Sequence, residues 1–250
     1  MNDISITPQS AAQAADRQFR YYDFVMAAFV AILLLSNVIG AAKPAAIMAD
    51  GKVATLFGYD MIFGAGILFF PLGYVIGDVL TEVYGFARAR RVIWTGFAAL
   101  IFMAFMSWVV VMLPAAPGWQ GQAAYEQVFG QVWRIVFASI TAFWVGEFVN
   151  SYVMARMKLW TKGKYLWSRT IGSTFVGQGI DSLLFYPLAF YGTWTNTQLI
   201  SVMITNWALK VLWEVVLTPV TYAVVGFLKR REGVDIFDAG TDFSPFQTKI

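Results

Sequence analysis

The sequence predicts an all-α polytopic membrane protein with six transmembrane helices and both termini in the cytoplasm. Three observations carry that prediction. Only 13% of the 250 residues are charged and 58% are hydrophobic, whereas soluble domains carry about 25% charged residues. Apolar runs of the roughly 20 residues that a helix needs to cross a bilayer recur along the chain. Lysine and arginine crowd onto alternate connections between those runs, the asymmetry that marks cytoplasmic loops.

The elements follow in order. Residues 1–20 form a polar tail without the short apolar core of a cleavable signal, and are expected to be flexible. The first span runs from Tyr22 to Ile47, and ADGK then punctuates the chain. The second runs from Tyr59 to Tyr84, and the third from Arg91 to Leu113, closed by PAAPGWQGQ. The fourth runs from Val132 to Met157, and the fifth from Thr170 to Tyr191, ending in the turn GTWTNT. The sixth runs from Leu199 to Leu228. Residues 21–230 are thus one transmembrane domain, and residues 231–250 a cytoplasmic C-terminal tail. Pro44, Pro71, Pro187 and Pro219 fall in or near spans, where kinks are tolerated if neighbours satisfy the freed carbonyls.

Orientation follows from the basic residues. The N-terminal tail carries Arg17 and Arg20, and GFARARR after the second span carries Arg88, Arg90 and Arg91. The connection after the fourth has Arg156, Lys158, Lys162, Lys164 and Arg169, and the C-terminal tail has Lys229, Arg230, Arg231 and Lys249. The connections after the third and fifth spans have none. The one after the first has only Lys52, with Lys43 inside the end of the span. The arginines of GFARARR read as a cytoplasmic anchor.

Cysteine and histidine are absent, which removes disulfides, thiol chemistry, a histidine relay and the usual zinc ligands. No GxxxxGK[ST] loop or cofactor fingerprint is present. The chain is expected to be no enzyme and to need no cofactor or metal, and it offers nothing for nucleic acid. A membrane aspartyl protease would need YD and GxGD on two helices. Tyr59-Asp60 opens a span, and GQGID carries an extra residue that turns Asp181 away by about 100°. The echo between GDVLTEVYGFAR and GEFVNSYVMAR maps the second span onto the fourth.

Charged groups inside the spans are the informative ones. The spans hold Asp78, Glu82, Glu147, Asp181 and Glu214 against Lys210 and Arg134. Facing lipid, five carboxylates would lose roughly 12–17 kcal/mol, so they face a wet, paired or ligand-filled interior. Tyr74, Asp78 and Glu82 share one stripe at i, i+4, beside a small-residue seam of Gly73, Gly77 and Thr81. The seam suits a homodimer as well as internal packing. Gln178, Asp181, Ser182 and Phe185 share a face, and Asn206, Lys210, Glu214 and Thr218 another. Glu147, Asn150 and Ser151 lie on the fourth span, and Asn37 on the first. Lys210 could pair with Glu214 on its own helix or with Asp181 on the next. Asp78 and Glu82 could pair with Arg88 or Arg91. Asp181, at the centre of its span with no basic residue within a turn, asks most for a ligand. Trp94, Trp119, Trp160, Trp167 and Trp194 fit interfacial belts, while Trp144, Trp207 and Trp213 lie deeper.

The segments SNVIGAAKP (36–44), FPLGYVIGDVLTEVYGFARARRVIW (70–94), GSTFVGQGIDSLLFYPLAF (172–190) and NWALKVLWEVVLTPVTY (206–222) resemble the queuosine precursor transporter family, also described as vitamin uptake transporters. The resemblance implies a six-helix carrier, similar in fold to the substrate-binding subunits of energy-coupling-factor transporters. It implies uptake of 7-deazaguanine bases, the cyano or aminomethyl precursor or queuine, across the inner membrane for tRNA modification. A carrier for another vitamin or nucleobase, working with an external energising partner, is the alternative. By motif match, Asn37, Asp78, Glu82, Gln178, Asp181 and Lys210 are implied as the polar site. The residues themselves add Tyr74, Glu147, Asn150 and Glu214 as candidates. A carboxylate can take the paired N–H donors of a guanine-like edge, while its carbonyl wants an amide or cationic donor.

Overall fold

Helices dominate, and their ends are set by glycine and proline at positions the hydropathy pattern does not resolve. The computed structural model describes residues 8–10, 17–40, 44–56, 59–60, 62–129, 133–192 and 195–247. Helix α1 is Tyr22–Leu35, continued by a π-helical turn at Ser36–Gly40. Helix α2 is Phe70–Tyr84, α3 is Phe86–Met112, and α4 is the short Gln122–Phe129. Helices α5 (Trp133–Trp160), α6 (Leu166–Phe190) and α7 (Asn196–Glu232) complete the set.

Tyr22–Ile39, α3 and Val202–Glu232 are long and apolar enough to cross a membrane. Their exposed faces carry Phe102, Phe105, Met112, Leu212, Val216 and Val220, apolar surface that suits lipid. Helices α5 and α6 are as long, but a polar stripe on each dilutes their hydropathy.

Three boundaries differ most from the hydropathy reading. The first helical stretch ends at Gly40 rather than Ile47, and residues from Pro44 to Gly64 form short antiparallel strands. These are β2 (Pro44–Ala46) with β7 (Ile62–Gly64), β3 (Met48–Ala49) with β4 (Lys52–Val53), and β5 (Thr55–Leu56) with β6 (Tyr59–Asp60). Asp50 and Gly51 both take positive φ, 50° and 74°, as the tightest hairpin turns require. The second helix therefore begins at Phe70 instead of Tyr59, with Pro71 in its first turn, where its missing N–H costs nothing. Pro71 starts a helix; it does not kink one.

The third difference concerns GFARARR. Gly85, at φ +82°, breaks the helix after Tyr84, and Phe86 begins the next one immediately. The arginines stand on the first turns of α3, not in a loop, and Arg88 and Arg90 are buried. Arg90 donates to the backbone oxygens of Asp242 and Ser244, each at 2.8 Å. The C-terminal segment is thus docked here. Asp238 accepts the Phe86 N–H with both carboxylate oxygens at 3.1 Å, capping α3 from far along the chain. Strand β8 (Asp235–Phe237) pairs in parallel with β1 (Pro8–Ser10), joining the two terminal segments.

Trp94, expected at a membrane interface, packs in an aromatic cluster with Trp144, Phe148 and Phe246, and its indole donates to Pro245 O at 2.8 Å. Lys43, Trp194 and the side chain of Arg134 lie outside the described residues.

Candidate functional site

Two glycines bring the polar faces together. A Cβ on Gly177 would lie 2.8 Å from Asn150 Cβ and 3.0 Å from Gly146 O, and one on Gly146 would lie 2.9 Å from Asp181 Cβ. Helices α5 and α6 therefore cross at backbone contact, which only small residues permit. The crossing sets Glu147 and Asn150 of α5 beside Gln178 and Asp181 of α6.

Helix α2 meets α5 by the same means. Gly77 sits where any Cβ would collide with Glu147 Oε1, and Thr81 Oγ1 lies 3.2 Å from Ser151 Oγ. Asn150 Nδ2 donates to Asp78 Oδ1 at 2.9 Å. The small-residue seam on α2 is thus spent on internal packing. The echoed glycines Gly77 and Gly146 do equivalent work, each admitting a carboxylate-bearing neighbour.

Helix α7 packs its polar face against this group. Lys210 Nζ donates to Asp181 Oδ2 at 2.6 Å and to Gln178 Oε1 at 3.0 Å, and lies 5.9 Å from the centre of the buried Tyr74 ring. Of the two partners open to Lys210, the structure selects Asp181 on α6. Tyr74 and Lys210 meet across α2 and α7, and Asp78 and Glu214 each lie one turn further along the same helix faces. Tyr74, Asp78, Glu147, Asn150, Gln178, Asp181, Lys210 and Glu214 therefore share one interior.

Buried polar atoms are normally paired, and here several are not. Asp78 Oδ2, Glu147 Oε1, Asn150 Oδ1 and Ser182 Oγ lack a hydrogen-bond partner, and Glu214 has none beyond the Thr174 hydroxyl. Such a concentration of unused donors and acceptors is what a polar ligand would satisfy. Thr174 is absent from the sequence-derived set. Its signal was available, because Thr174, Gln178 and Ser182 repeat every four residues and are all buried.

Asn37 and Glu82 stand apart from this group. Asn37 lies on the π-helical turn, and its amide donates to Leu33 O at 2.9 Å and Ser36 Oγ at 3.4 Å on its own segment. Glu82 Oε1 lies 2.6 Å from Lys229 Nζ, 2.8 Å from the Arg169 guanidinium and 3.5 Å from Lys158 Nζ. Asp235 Oδ1, 2.7 Å from both lysines, completes the cluster. Glu82 pairs with these cations and not with Arg88 or Arg91, because GFARARR turns away along α3. Its cluster joins α2, α5, α6, α7 and β8 at the basic end.

Outside the spans, burial alone would raise the carboxyl of Asp235, but the charges of Lys158 and Lys229 outweigh it and hold the group below its ordinary range. Burial raises Asp238, opposed by the Phe86 N–H and Thr241.

A family model described as "Putative vitamin uptake transporter" matches residues 64–224, the stretch that builds the chamber. The chain is 30% identical over 198 residues to a "Probable queuosine precursor transporter" of Bacillus subtilis, covering 78% of this chain and 84% of that protein. It is 26% identical over 174 residues to the "Queuosine precursor transporter" of Escherichia coli, covering 68% and 75%. A Haemophilus influenzae protein named as the first is 29% identical over 127 residues, half of each chain. No solved structure matches significantly.

Proposed function

Because this chain belongs to the queuosine precursor transporter family, we propose that it imports 7-deazaguanine precursors of queuosine across the inner membrane. In this reading six helices span the bilayer with both termini cytoplasmic, and imported base supplies tRNA modification. The protein carries no ATPase of its own.

The observation that carries the reading is the Asp181–Lys210–Gln178 group beside Tyr74. A 7-deazaguanine edge presents N–H donors next to a carbonyl. Asp181 accepts from the donors, and Lys210 or Gln178 donates to the carbonyl. The base thereby takes over bonds that Asp181 and Lys210 now make to each other, so ionic groups stay paired on binding. Tyr74 offers an aromatic face to the flat ring. Asn150, Thr174 and Ser182 supply further polar contacts. Glu82, saturated by three cations, is assigned to holding the cytoplasmic end and not to the base.

A thermal-shift panel on the detergent-purified protein tests this. The cyano- and aminomethyl-7-deazaguanines should stabilise wild type and leave Asp181→Asn unshifted. Stabilisation by an unrelated vitamin, with none by any deazaguanine, would replace this substrate with that one.

A further inference from the structure

The chamber holds a second constellation that base recognition does not use. Asp78 is 0% exposed, with one oxygen bonded to Asn150 and the other unpartnered. Glu214, on the facing helix α7, is 1% exposed, with the Thr174 hydroxyl beside it and no cation paired to it. Glu147 Oε1 is buried and unpartnered as well.

The ionisable groups facing them come from every neighbouring element. Helix α2 brings Tyr74 and Glu82, α5 brings Glu147 and Lys158, α6 brings Arg169, Asp181 and Tyr186, and α7 brings Lys210 and Lys229. Lys158, Arg169 and Lys229 are engaged by Glu82 or Asp235, and Lys210 by Asp181. Among the described residues, Asp78, Glu147 and Glu214 make no ion pair. Each uncompensated buried charge costs several kcal/mol, and carboxylates held together resolve that cost by sharing a proton. Among the described residues, no group of His, Cys, Asp and Glu is placed to hold a metal ion.

We propose that Asp78 and Glu214 form a proton-binding site, so that the carrier moves a proton with each base. The inference rests on the transport reading above. The proton bonds to a carboxylate oxygen of the pair on the outer side and dissociates on the inner side, with no other bond changed. Asp78 stands one helical turn from Glu82, so the ion cluster of Glu82, Lys158, Arg169, Lys229 and Asp235 separates the proton site from the cytoplasm. Proton release then requires that cluster to open.

The test uses proteoliposomes of the full chain with a lumenal pH dye, the membrane potential clamped to zero and sodium equal on both sides. The probe is uncharged 7-cyano-7-deazaguanine. Its addition outside should acidify the lumen of wild-type vesicles, and an inward gradient of about one pH unit should raise accumulation about tenfold for one-to-one coupling. In Glu214→Gln and Asp78→Asn, whatever uptake remains should carry no proton. Base entering wild-type vesicles without acidification, or driven instead by a sodium gradient, would overturn the proposal, as would unchanged proton stoichiometry in both variants. Uptake absent altogether would overturn the transport reading and this inference with it.

Discussion

Lys210 Nζ stands 2.6 Å from Asp181 Oδ2, an ion pair that joins α6 to α7 where the chamber's acidic groups converge. The side chains are 13% and 19% exposed, so the pair is partly shielded from water. Lys210→Met should destabilise the protein by about 1–3 kcal/mol, below the roughly 3–5 kcal/mol for breaking a fully buried pair. The double variant Asp181→Asn, Lys210→Met should recover more than half of that loss. Chemical unfolding in detergent measures both.

Glu82 is the stronger structural element, because its carboxylate is wholly buried among Lys158, Arg169 and Lys229. Glu82→Gln leaves three cations facing one another and should cost about 3–5 kcal/mol. Unfolding midpoints read this directly. A loss below 1 kcal/mol would show that solvent or the remaining Asp235 compensates.

The glycine crossing should tolerate no branching. A Cβ on Gly177 would meet the backbone oxygen of Gly146 and Asn150 Cβ, neither of which is the end of a flexible chain. Gly177→Val should cost about 1–3 kcal/mol or more and abolish ligand-induced thermal shifts by separating Asn150 from Gln178.

The docked C-terminal segment should give two pH dependences of opposite sign. Asp235 is held below its ordinary value of 3.8, so its contribution is full above that value and is lost as pH falls through the lower folded value. Asp235→Asn should flatten that acid-side loss. Asp238 is raised above 3.8, so its charged form weakens the fold as pH climbs from there through the raised value. Asp238→Asn should remove that decline while keeping one acceptor for the Phe86 N–H. Stability measured against pH for both variants checks the signs.

Much of this molecule was readable from residue spacing. The stripe of Asp78 on α2, the pair Gln178 and Asp181, and the run through Lys210 and Glu214 all converge as their helical periods require. ADGK marks the turn at Asp50-Gly51, but the strands that flank it before α2 are hidden, because the surrounding apolar run fits a helix equally well. The fate of Glu82 was hidden for another reason. Its partners come from residues 158, 169 and 229, and no local periodicity links positions so far apart. The same holds for Asp238 on Phe86 and for the C-terminal oxygens on Arg90, since hydropathy treats a polar tail as solvent-exposed.

The most direct measurement is uptake of labelled 7-cyano-7-deazaguanine by proteoliposomes containing this protein alone, with wild type and Asp181→Asn compared at equal reconstituted amounts. The account predicts saturable uptake by wild type and none above empty vesicles for Asp181→Asn. Wild-type uptake in the variant, or no uptake by the wild-type protein, would contradict it.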